Sequence, residues 1–159
     1  MERISQIIKK VQHGTSLRKS SMQSLVINEN GEHSISLYTG ELQPKIVAES
    51  VAKIKAAFPS LKPEYFSLFI DRLKERGFSD HRLIDSVNNV IDNCQYSTPT
   101  LANFLSFDKR VKIYNYHEMC NVVSNNRLEP NYFSKIRING KLFWIKTSDK
   151  DLYQLPDEF

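Results

Sequence analysis

A chain of 159 residues with 40% hydrophobic and 25% charged side chains carries enough apolar surface to fold, as one domain with room for a small satellite element but not for two full cores. Five glycines and six prolines exclude collagen-like and low-complexity classes, and two cysteines make no disulfide framework. The net charge of +4 is segregated, with five bases against Glu2 in residues 1–20, nine bases against four acids in residues 101–150, and an acidic end, a layout that suits contact with a polyanion.

Residues 1–12 repeat Ile4, Ile7, Ile8 and Val11 at the spacing of one helical face, and His13-Gly14-Thr15-Ser16 stops that helix. The first residues show no charged-then-apolar signal pattern, which predicts a cytoplasmic protein. No apolar run approaches the roughly 20 residues that cross a bilayer, so no membrane partner is expected. Leu25-Val26-Ile27 and Ile35-Ser36-Leu37-Tyr38 flank Asn30-Gly31 and predict a hairpin.

From Pro44 the period becomes helical. Val47, Val51, Ile54 and Phe58 share one face, and Pro44 suits the first helical position. A second helix from about Pro63 carries Phe66, Phe69, Ile70 and Leu73, and closes at Gly77. A third opens at Ser79-Asp80 and carries Leu83, Ile84, Val87, Val90, Ile91 and Cys94. Short connections predict an antiparallel bundle of consecutive helices. Thr98 is expected to cap a short helix that begins at Pro99 and buries Leu101 and Phe104.

Asp108 to Tyr114 alternates base and apolar side chain, as in an exposed strand or link. Asn115 and Glu118 form a capping box before a helix expected to bury Met119, Cys120, Val122 and Val123. Phe133–Ile138 and Lys141–Lys146 flank Asn139-Gly140, the pair that a type I′ hairpin demands. The expected whole is a mainly helical α+β fold: residues 1–43 as helix and hairpin, 44–124 as the helical core, and 125–159 as C-terminal hairpin and acidic tail.

Little in the sequence points to catalysis. No phosphate-cradling glycine loop, GxSxG elbow, HExxH helix or CxxC pair is present. His117 and Cys120, with Cys94, have a possible ligand spacing, but Cys120 belongs to an apolar stripe and a packing role explains it as well. Asp71 and Glu75 lie one turn apart among Arg72, Lys74 and Arg76, the pattern of an ion-paired solvated face. The protein is expected to be neither an enzyme nor the holder of a cofactor.

Three constellations fit binding. In the C-terminal hairpin, alternation puts Ile136, Ile138, Phe143 and Ile145 on one face and Lys135, Arg137, Leu142, Trp144 and Lys146 on the other. Bases beside the single tryptophan would hold a nucleic-acid strand by stacking and phosphate pairing; the plainer alternative is Lys135 covering Trp144 by a cation–π contact. Lys109, Arg110 and Lys112, followed by Tyr114 and Tyr116, would track a phosphate backbone or form a solvated linker. The end, Leu155-Pro156-Asp157-Glu158-Phe159, resembles the acidic, phenylalanine-ended tips with which single-strand-binding proteins recruit partners; the alternative is that Asp157, Glu158 and Phe159 pack on their own domain.

The stretch from Lys45 to Phe107 resembles the small helical domain of phage helicase loader-and-inhibitor proteins. Phe69 stands at the family's tryptophan, Leu73 at its leucine and Phe78 at its tyrosine, with Leu83, Val87, Val90 and Ile91 in the following helix. Tyr96-Ser97-Thr98-Pro99-Thr100-Leu101-Ala102 is similar to its paired-proline, threonine, isoleucine, alanine signature, departing at Thr98 for the first proline and Leu101 for the isoleucine. The resemblance covers under half the chain. It implies a non-enzymatic replication accessory protein of a phage or mobile element, docking on a replicative helicase or a replication initiator. The reading that stands beside it is a regulatory protein that binds nucleic acid directly through the C-terminal hairpin.

Overall fold

The structure is a computed structural model that describes residues 25–159. The helix expected over residues 1–12 and its glycine stop lie outside the described residues. The fold is α+β and mainly helical, with six helices and five strands among the described residues. No described helix is long and apolar enough to cross a membrane. Two compact units emerge: Tyr38–Asp108, and residues 25–37 together with Lys109–Phe159. Each has its own cluster of buried apolar side chains, in place of the one core that chain length led us to expect.

The helical unit begins with α1 (Pro44–Ala57), where proline at the first position needs no N–H partner. Helix α2 (Pro63–Glu75) ends as its glycine predicts. Gly77 adopts a left-handed φ of 62°, Gly77 N–H donates to Lys74 O, and Phe78 N–H reaches back to Leu73 O at 3.2 Å. That is a Schellman closure with Phe78 and Leu73 both buried against it. Helix α3 (Asp80–Asn93) starts at Ser79, whose Oγ accepts from Arg82 N–H at 3.4 Å. Helix α4 (Leu101–Leu105) starts two residues later than expected. The chain bends through residues 96–98, and Thr100, itself extended, takes the cap position, with Asn103 Oδ1 accepting from its N–H at 2.7 Å.

Nine of the eleven core positions read from periodicity in this unit are buried, namely Val51, Ile54, Phe58, Phe66, Phe69, Leu73, Leu83, Val87 and Phe104, while Leu101 is half-buried at the rim. Ile91 is half-buried as well. Phe69 and Phe104 meet edge-on with ring centroids 5.3 Å apart. The closest backbone approach is between α1 and α3, not between consecutive helices. Their buried faces are largely valine and serine (Val47, Ser50, Val51; Ser86, Val87, Val90), which lets two backbones come near, whereas α2 buries Phe66 and Phe69 and stands further off. Ser86 keeps its hydroxyl satisfied by donating to Phe104 O at 2.7 Å.

In the sheet unit, β1 (Val26–Ile27) and β2 (His33–Ser36) form the expected hairpin. Asn28 Oδ1 accepts from the N–H groups of Asn30 and Glu32, and Gly31 supplies the left-handed residue at φ 76°. Strand β3 (Arg110–Ile113) pairs antiparallel with β2, so the alternating run after Asp108 is half-buried through Val111 and Ile113. Helix α5 (Tyr116–Asn126) follows, then β4 (Phe133–Ile138), β5 (Lys141–Lys146) and α6 (Thr147–Leu152), the last unforeseen in the sequence. Helix α5 therefore belongs with the sheet rather than with a helical core ending at residue 124. Met119, Cys120, Val122 and Val123 are only half-buried, a correction to the expected burial; the helix lies along β5 and no residue of it is fully enclosed.

Candidate nucleic-acid interface

The hairpin of β4 and β5 turns on Asn139 and Gly140, with φ of 51° and 77°, both in the left-handed region that a two-residue turn requires. The register follows from the turn: Ile138 opposite Lys141, Arg137 opposite Leu142, Ile136 opposite Phe143 and Lys135 opposite Trp144. Ile136, Ile138, Phe143 and Ile145 are buried together with Ile35, Val111 and Ile113. That leaves Lys135, Arg137, Leu142, Trp144 and Lys146 on the far face, as alternation requires.

This face is wider than the hairpin. Tyr114 N–H donates to Trp144 O and Trp144 N–H to Tyr114 O, each at 2.8 Å, so β5 is tied to the end of β3. Residues bridged across an antiparallel pair project to the same side, and so do their i±2 neighbours. Tyr114, Lys112 and Arg110 therefore share the face of Trp144 and Lys135. The two basic constellations, separate in the sequence, lie on one surface.

Aromatic rings run through it. Tyr114 meets Phe133 edge-on at 5.1 Å, and Phe133 meets Tyr132 at 5.1 Å. The half-buried indole of Trp144 is not turned inward against Phe133; its ring partner is Tyr116 at 5.5 Å, inclined by 55°. Tyr116 is the first residue of α5, placed there by the expected capping box, in which Asn115 Oδ1 accepts from Glu118 N–H and Glu118 Oε2 from Asn115 N–H, both at 2.8 Å. It is 64% exposed, and hydrogen bonding with Cys120 holds its hydroxyl above the ordinary tyrosine range.

The cations divide into two groups. Among the described residues Lys135, Arg137 and Lys146 have no ion-pair partner. Lys135 does not cover the indole: the cation–π contacts among the described residues are Arg82 over Phe78 and Lys112 over Tyr114. The second group is already engaged. Arg110 Nε donates to Ser34 Oγ at 3.0 Å and its Nη2 to Ser34 O at 2.9 Å. Lys112 is paired with Glu32, which lowers the Glu32 carboxyl below its ordinary range and raises the Lys112 ammonium. Lys109 also has a partner within the protein. Lys109, Arg110 and Lys112 thus make contacts within the protein, and Lys112 Nζ also lies 5.3 Å from the centre of the Tyr114 ring.

The tail is not a detached tip. After α6 the chain returns along the outer edge of β4, with Arg137 N–H donating to Asp157 O at 2.8 Å and Phe159 N–H to Arg137 O at 2.9 Å. Leu155 and Phe159 pack against the sheet-unit core, and Asp157 pairs with Lys150. Two of the three residues expected to meet a partner, Asp157 and Phe159, are used within the chain. Glu158 is the exception and remains exposed.

Tyr116, Tyr114 and Phe133 are the residues that the sequence reading left out of the hairpin site. The shared parity of Lys112, Tyr114 and Trp144 was the available signal, but it acts only once β3 is known to lie beside β5. Among the described residues no group of three or more His, Cys, Asp or Glu side chains could hold a metal ion. In comparisons with known proteins, no family model, no curated protein and no solved structure matches this chain.

Proposed function

We propose that this chain is a non-enzymatic, cytoplasmic replication accessory protein that holds single-stranded nucleic acid across the face of β3, β5 and β4. The observation that carries the binding reading is the grouping of Trp144 and Tyr116 with three cations, Lys135, Arg137 and Lys146, that no carboxylate neutralises among the described residues. Exposed rings stack on bases of any identity, and unpaired cations meet the phosphates between them. An open sheet face of this kind fits separated bases better than a duplex, whose rings are already stacked on one another.

The expected outcome is a shallower salt dependence when the cations are removed. Replacing both Lys135 and Lys146 with alanine should flatten the slope of log affinity against log salt by about 1.4, at about 0.7 per phosphate on a single strand. Fluorescence anisotropy with an oligothymidylate over a salt series measures it. An unchanged slope removes these two residues from the site.

The helicase- or initiator-docking role implied by the loader resemblance rests on a different part of the chain. Its support is the turn before α4, where Tyr96 is 76% exposed and Pro99 is buried. Its test is co-purification of a replicative helicase with the full chain from the native host.

A further inference from the structure

The return of the tail along β4 has an electrostatic side that the pairing itself does not need. Arg137 and Glu158 are partners in a parallel bridge, and partners in such a bridge point to the same side of the sheet. Phe159, one residue on, points the other way, in agreement with its packing among Ile136, Ile138 and their neighbours. Glu158 therefore stands beside Arg137 at the edge of the basic face, exposed and without an ion-pair partner among the described residues.

We propose that the segment Leu155–Phe159 is an acidic guard strand: it places Glu158 next to Arg137, where the carboxylate competes with nucleic-acid phosphate for that cation and sets the affinity of the face. The inference rests on the single-strand reading above and names its regulation. The anchor is local and separable from the charge. Backbone bonds to Arg137, the Lys150–Asp157 pair and the apolar contacts of Leu155 and Phe159 hold the strand, so the Glu158 side chain can be altered without detaching it. Short edge strands with few buried contacts also open at low cost, so displacing this one would remove the competing charge and free the edge of β4 together.

The test is a double-mutant cycle on the full chain, with a labelled oligothymidylate as probe at low salt. Glu158→Gln should tighten binding about two- to fivefold, the effect of removing one like charge near a phosphate in mostly aqueous surroundings, and the gain should shrink as salt is raised. In the Arg137→Gln background the same change should do nothing. No tightening from Glu158→Gln in the chain that keeps Arg137, or equal tightening with and without Arg137, overturns the guard. Trp144→Ala separates the two proposals: weakened binding with no coupling between Glu158 and Arg137 sinks the guard alone. If Trp144→Ala leaves affinity unchanged, or no variant binds the probe, the binding reading falls and the guard with it.

Discussion

Val87→Asp unfolds the helical unit. Val87 is 1% exposed, on the face that α3 turns to the core, with Leu83 and Val90 buried beside it. The buried cluster on its core side is apolar, and towards the surface Val87 lines a small cavity with Ile46, Ile84, Glu49 and Lys53. A carboxylate placed there loses most of its hydration, and the valine's own burial is forfeited as well. The combined cost is about 4 kcal/mol or more, a large part of a domain's whole stability. Urea denaturation followed by circular dichroism should show loss of most helical signal before denaturant is added. The same substitution at half-buried Ile91 should leave a folded protein with a lowered midpoint, because there the carboxylate has a route to water. A cooperative transition for Val87→Asp at the wild-type midpoint would contradict the core assignment.

Trp144→Ala has the second large effect, on binding rather than on folding. The indole is half-buried on the far side of the sheet from the core, so its removal leaves Ile136, Phe143 and Ile145 packed as before. Base stacking on an aromatic ring is worth about 1–3 kcal/mol by alanine substitution, which is a loss of roughly five- to 150-fold in affinity. Trp144→Phe should recover much of the loss, since the π-face remains, whereas a purely structural role for the indole would show as a shift in unfolding midpoint. Because this is the only tryptophan, its fluorescence reports on its own site, and quenching on titration with oligothymidylate is expected.

The parts of the fold that follow from local chemistry were legible. The stripe Leu83, Val87, Val90 has one compatible period, Gly77 takes the left-handed closing position without a Cβ penalty, and Asn139-Gly140 leaves a single register for the hairpin. What depended on strands distant in sequence was not. Nothing in the alternation of Lys112 and Tyr114 says that β3 lies against β2 on one side and touches β5 on the other. The tail was illegible for the same reason: Asp157 and Phe159 find their partners through a return past α6 that no periodicity announces. Thr98 and Thr100 are equally good caps by composition, and the choice of Thr100 goes with Asn103, one turn ahead of it. The candidate site was thus half legible: Lys135, Arg137, Trp144 and Lys146 came from the hairpin's parity, while Tyr116 and the engagement of Arg110 and Lys112 required the assembled sheet.

On the proposed function, one open face, where half-buried Trp144 and exposed Tyr116 stand among cations without ion-pair partners, takes unstacked bases. The most direct measurement is competition for the full chain between an oligonucleotide and the duplex of the same sequence at one salt concentration. Stacking on Trp144 and Tyr116 is open to a single strand and closed to paired bases, so the single strand should compete about tenfold better or more. Equal competition, or preference for the duplex, would show that phosphate charge alone is being read and would overturn the single-strand function proposed for this face.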